Sequence, residues 1–232
     1  MFRRLLYLTL LLLILVGCQT QNDKANAVQP PRKISLDTSN VNGFITEQDG
    51  VFILHAASYF KNTGEAPVYI RDVKFHFEST DGSNLGTVTL LFSTPAIVRP
   101  NEFTLVGGTS YVKQDLTNME LGQVKVNVKF AQTNLKESKW KIDINKHQET
   151  QYGYMVFGRV TNTSDKPADF TYITVGLFDK QGKILAGLTS FVDDPLSPGA
   201  ATDFQTQDFI HIPKRIVDRI DHVKVFGTAI KD

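Results

Sequence analysis

Asp193-Asp194-Pro195 is the grouping in this chain best placed to hold a cation. Adjacent carboxylates in a loop offer hard oxygen ligands of the kind Ca²⁺ takes, roughly six to eight at a time. Asp203 and Asp208 follow in sequence as further oxygen donors. The histidines are His55, His76, His147, His211 and His222, and none stands at metal-ligand spacing from another. Met119 and Met155 are the only methionines beyond Met1, too few to support a His/Met copper site. A Gly-x-Ser-x-Gly nucleophile motif is absent, and Gly107-Gly108 lacks the Lys-Ser/Thr that follows a phosphate loop. No catalytic residue and no cofactor is expected. His55 sits in the apolar run 51–57, where a satisfied or edge-facing imidazole is expected rather than a ligand.

Cys18 is the only cysteine, so no disulfide forms within the chain and the fold rests on its core. It closes a stretch with the layout of a secretory signal peptide: Arg3-Arg4, an apolar run over 5–16, and small Gly17 before the cut. That run is short of the about 20 apolar residues a spanning helix needs. Leu15-Val16-Gly17-Cys18 resembles the bacterial lipobox, in which the cysteine thiol takes a diacylglyceryl group and becomes the new N-terminus. The resemblance implies that residues 1–17 are removed as a signal peptide and that Cys18 is the lipidation site. It also places the protein on the extracytoplasmic face of a cell membrane. Two acyl chains, at about 0.8 kcal/mol per buried CH₂, anchor stably where one does not.

Losing Arg3 and Arg4 from the 25 basic residues leaves 23 against 24 acidic ones. Near-neutrality gives no electrostatic footprint for nucleic acid or for an anionic membrane surface. Residues 18–32 are polar beyond the cysteine, carry Pro30-Pro31 and show no periodicity. They are expected to act as a flexible tether reaching ~20–25 Å.

The remaining chain reads as one unit written twice. Asn62-Thr63-Gly64-Glu65-Ala66-Pro67 returns as Asn162-Thr163-Ser164-Asp165-Lys166-Pro167, and Asp81-Gly82 as Gln181-Gly182. Lys33-Ile34-Ser35-Leu36-Asp37 aligns with Lys141-Ile142-Asp143-Ile144-Asn145, leaving an expected eight extra residues around 40–50. Ser93-Thr94-Pro95 stands where the second copy has Asp193-Asp194-Pro195, so any cation site would be private to that copy. Two tandem domains are expected, at 33–131 and 138–232.

Val73, Phe75 and Phe77 alternate with polar residues, as do Val124, Val126 and Val128, and Ile173, Val175 and Leu177. Period-two patterning with frequent turn signals predicts short strands and an all-β pair of tandem immunoglobulin-like antiparallel sandwiches. The one helix expected is a turn or two over 213–220, linking the last two strands behind Pro213.

The second copy resembles the FxLYD-type domain, a small β-sandwich found on bacterial envelope lipoproteins. The resemblance rests on Val160-Thr161-Asn162-Thr163-Ser164, Val175-Gly176-Leu177-Phe178-Asp179, Gly182 and Leu196-Ser197-Pro198-Gly199. Val175 replaces the naming phenylalanine and Phe178 the tyrosine, while Leu177 and Asp179 match; the first copy keeps only Phe75. The resemblance implies fold and location and carries over no catalytic residue. Asp179 and Asn162 are expected to cap turns. Tyr152, Tyr154, Phe157, Phe170, Tyr172 and Phe178 cluster in sequence and are expected to form core and interdomain contact. Trp140 is expected to wedge between the domains; with Phe178 it is the candidate interaction surface. The expected function is a non-catalytic, lipid-anchored interaction or spacer module meeting an envelope protein or wall partner. The alternative is binding of a small ligand or a cation, the latter at Asp193 and Asp194.

Overall fold

A computed structural model describes residues 32–90, 92–136, 138–151, 153–206 and 210–229. Cys18 and the whole of 1–17 lie outside the described residues, as do Tyr152 and Asp208. Lys33–Asp232 forms one compact unit, separate from Met1–Arg32. All the strands and apolar clusters below lie within it, so this body carries its own core and can fold without the preceding segment.

The first half contains β1 (Leu36–Asp37), β2 (Val41–Gln48), β3 (Val51–Asn62), β4 (Val68–Ser79), β5 (Asn84–Leu90), β6 (Ile97–Val98), β7 (Phe103–Val112) and β8 (Leu121–Gln132). The second contains β9 (Trp140–Thr150), β10 (Gly153–Asn162), β11 (Thr171–Phe178), β12 (Ile184–Val192), β13 (Ala201–Gln205), the single turn α1 (Lys214–Val217) and β14 (His222–Ala229). Every strand pairing is antiparallel. The all-β sandwich class read from alternation is what forms, and α1 falls within the predicted 213–220 stretch.

In the first half, β3 joins β1, β2 and β7 in one sheet, and β4 joins β5, β6 and β8 in the other. Leu54, Ala56, Phe60 and Val106 meet Val73, Phe75, Phe77 and Val88 between them. In the second half, the sheet ordered β13-β10-β9 faces the sheet ordered β12-β11-β14. Val156, Val160 and Phe204 close on Ile173, Val175 and Leu177 there.

The two halves repeat each other's hydrogen bonds at two turns. Asn62 Nδ2 donates to the carbonyls of Ala66 (2.9 Å) and Val98 (2.8 Å), while its Oδ1 accepts from Gly64 N–H. Asn162 Nδ2 donates to Lys166 and Leu196 (both 2.8 Å), and its Oδ1 accepts from Ser164 N–H. The β4–β5 and β11–β12 turns match likewise: Gly82 N–H donates to Ser79 and Gly182 N–H to Asp179, with both glycines at positive φ. Register corrects one part of the sequence alignment. Leu36 sits opposite Asn62, and Trp140 opposite Asn162. Leu36 therefore corresponds to Trp140 rather than Ile144. The first pair is 26 residues apart and the second 22, so the first half carries four extra residues, not eight. They lie in the β2–β3 hairpin: Leu36 to Asn42 and Trp140 to Lys146 both span six residues, whereas Asn42 to Ala57 spans 15 and Lys146 to Phe157 spans 11.

The inner sheets of the two sandwiches lie face to face. Ala57 and Leu105 from β3 and β7 pack on Phe178 and Ile184. Phe44 and Ile53 are drawn into the second half's core. The β2-β3-β7 face and the β11-β12 face are consequently covered on both sides, which is why all eight residues of β11 are buried.

Candidate functional site

Closest approach of the inner sheets occurs where neither has a side chain. A Cβ on Gly107 would lie 2.5 Å from Gly187 Cα, and one on Gly187 would lie 2.8 Å from Gly107 Cα. Beside this contact runs β12, an edge strand whose outward N–H and C=O groups need partners. Side chains of the first half supply them. Asn40 Oδ1 accepts from Ile184 N–H (2.9 Å) and Asn40 Nδ2 donates to the Gly182 carbonyl (3.0 Å). Asn42 Nδ2 donates to the Leu185 carbonyl (2.7 Å), and His55 Nε2 accepts from Gly187 N–H (3.2 Å).

His55 is the most unusual group in the joint. Its ring stacks on Phe44, centroids 4.8 Å apart, and is fully buried. Accepting at Nε2 places the ring proton on Nδ1, by inference from the bond it makes. Nδ1 has no partner among the described residues. Burial pushes its pKa down to about 3, so the ring stays neutral through the physiological range. The edge-facing role expected of His55 is the one it performs, but the edge belongs to the other half.

Phe178 is fully buried, T-shaped against Tyr59 at 5.2 Å. It lies on the opposite face from Val175 and Leu177, as alternation predicts, and it covers the neighbouring half. A surface for an outside partner it is not: Tyr59 and Leu105 already occupy that face. Lys224 crowns the cluster, its Nζ 4.7 Å from the Tyr59 ring and 4.9 Å from that of Phe178. Trp140 is half-buried over Gly227 and lines a cavity of about 350 Å³ with Arg99 and Glu102 of the first half.

Asp179 caps its turn as read, accepting from the N–H groups of Gln181 (3.0 Å) and Lys183 (2.9 Å). Its second partner is Arg219, 40 residues on and without a local signal, whose guanidinium lies 2.8 Å away. Burial pushes this carboxyl up, but the Lys183 and Gln181 amides and Arg219 outweigh it and hold it below the ordinary carboxylate value. Asp193 and Asp194 are both exposed in the β12–β13 connection. Asp203 is turned to Arg159 (2.9 Å). Among the described residues no three metal-ligating side chains converge, so the geometry gives the cation reading no ligand set.

No family model and no curated protein sequence matches the chain. Among solved structures, a transglutaminase from red sea bream superposes at a TM-score of 0.19 with 10% identity. The match covers 84% of this chain and 28% of the fish enzyme. A likeness that loose carries no argument, and the fold stands on its own strands.

Proposed function

We propose that this chain is a non-catalytic, lipid-anchored protein of the bacterial cell envelope. Its two FxLYD-like sandwiches, residues 33–131 and 138–232, act together as an interaction or spacer module. The observation that carries the reading is the joint. Three side chains cap β12 and a glycine–glycine contact closes the inner sheets, so the sandwiches hold one fixed geometry. A module that sets a distance or presents a surface needs that stiffness, whereas an enzyme needs converging reactive groups. The lipobox-like Leu15-Val16-Gly17-Cys18 supports the anchor.

The anchor is tested by Cys18→Ser, which is expected to leave the protein unprocessed or to release it from the membrane fraction. Mature-sized protein that stays membrane-bound refutes it. The interaction role is tested by in-cell photo-crosslinking from exposed Tyr111, Asp194 and Leu135. One dominant crosslinked envelope protein is the expected result. Silence at every position removes that role and leaves spacing.

A further inference from the structure

A cavity of about 540 Å³ opens where the connection between the halves crosses from β8 to β9. Its walls include Tyr69, Phe92, Ile97 and Leu135. Three of these are large apolar side chains left in water, with Tyr69 at 37%, Phe92 at 38% and Leu135 at 67% exposure. Phe92 is backed by the buried Tyr172 ring (5.5 Å), which in turn meets Phe191 (4.9 Å). Single exposed hydrophobics need no explanation, but several converging on one concavity mark a binding surface.

Among the described residues the charge at the rim is of one sign. Lys136 and Lys166 both line the cavity, and no carboxylate does among its described residues. Four surface lysines are drawn to carboxylates, Lys125 to Glu78, Lys129 to Asp72, Lys141 to Asp143 and Lys214 to Asp218. Neither Lys136 nor Lys166 has an ion-pair partner among the described residues. Ligand pockets are commonly apolar with a few polar groups that orient the occupant, in volumes of about 300–1,000 Å³.

We propose that this cavity binds a small amphipathic organic anion: an apolar ring system or short acyl chain carrying one carboxylate, sulfonate or phosphate. The apolar body lies against Tyr69, Phe92 and Leu135, and the anionic head lies between the two ammonium groups. Lysines are compact point charges without the fork geometry of arginine, so the site selects for negative charge and apolar bulk rather than for one head group. A cation of the same shape is rejected.

The test uses 8-anilinonaphthalene-1-sulfonate, an aromatic anion of the proposed class, titrated into the Lys33–Asp232 body. Trp140, the only tryptophan, is the reporter, since the cavity it lines shares Ile97 and Ser138 with this one. Saturable one-site binding with quenching of Trp140 emission is expected. The double variant K136E/K166E is expected to weaken sulfonate binding by about tenfold or more, from two reversed charges near a protein surface. It should leave the uncharged analogue N-phenyl-1-naphthylamine within about twofold. Both lysines are exposed, so an unchanged circular dichroism spectrum shows that the variant is folded. Leu135→Asp should weaken both dyes. Sulfonate binding that never saturates, or that K136E/K166E leaves unchanged, overturns the proposal.

Discussion

Gly107→Ala tests the joint at its tightest point. The added Cβ would lie 2.5 Å from both the Cα and the carbonyl oxygen of Gly187, and 2.7 Å from its carbonyl carbon. Carbon atoms rest at about 3.5–4.0 Å, so the inner sheets must part locally by ~1 Å. All three clashing atoms are backbone, and no rotamer change relieves them. A gap of ~0.5–1 Å forfeits about a quarter to a half of each dispersion contact across it. The parting extends to Ala57, Leu105 and Phe178 and stretches the 3.2 Å bond from Gly187 N–H to His55. Overpacking of this kind costs about 1–3 kcal/mol, and a backbone-on-backbone clash belongs at the upper end, about 3 kcal/mol. Gly187→Ala, whose other neighbours lie at 3.2 Å, is expected to cost less, about 2 kcal/mol. Gly182→Ala supplies the control: it has open space but sits at φ +75°, so it carries only a local cost of about 1 kcal/mol. Urea unfolding of the Lys33–Asp232 body, followed by circular dichroism and by Trp140 fluorescence, measures all three. Gly107→Ala should also separate the two probes as the halves uncouple. A Gly107→Ala cost no greater than that of Gly182→Ala refutes the close sheet packing.

The remaining expectations concern buried polar groups. Because the folded state holds His55 neutral down to about pH 3 while the unfolded chain takes up a proton near pH 6.5, its contribution is intact above pH 6.5 and drains away as pH falls towards 3. Between pH 7 and 4 the wild type should lose about 3 kcal/mol more than His55→Gln, at about 1.4 kcal/mol per pH unit, and parallel stability curves would refute this. Asn62→Ala and Asn162→Ala should each cost about 2–3 kcal/mol by stranding two buried carbonyls and one N–H group, and to similar extents because their bonds match; urea midpoints check both values.

Alternation made the sandwiches legible. Val73, Phe75 and Phe77 point one way and Lys74 and His76 the other, as a half-buried strand requires. The repeat was equally legible around Asn62 and Asn162, because turn chemistry needs particular residues at fixed offsets. What each asparagine does beyond its turn was not, since Val98 and Leu196 come more than 30 residues later. The joint left a different signal. Val51-Phe52-Ile53-Leu54 and Ile184-Leu185-Ala186 do not alternate, the pattern of strands covered on both faces. That pattern says a second cover exists and not which element provides it. For the same reason Phe178 read as a candidate surface: parity gives the face of a strand, and only the fold says what lies on that face. The lysine-rimmed cavity had no sequence signature, since its walls come from five separate stretches of chain.

Comparing equivalent positions shows how the joint is built from a repeated unit. Ala57 pairs with Asn42 and Gly107, and its counterpart Phe157 pairs with Lys146 and Gln205. In the second half that face meets solvent. Lys146 and Gln205 are exposed there, and Lys146 lies over the Phe157 ring at 4.8 Å. In the first half the same face meets β12, and the residues have shrunk to alanine, asparagine and glycine. Each substitution has a physical reason. Glycine and alanine let backbone approach backbone, and asparagine replaces a charge that burial would penalise with a group able to cap the β12 edge. The break between β1 and β2 brings Asn40 to Gly182 and Ile184, extending the cap by one more side chain. One sandwich face, written for water in one copy and for protein in the other, accounts for how two similar units form a single body.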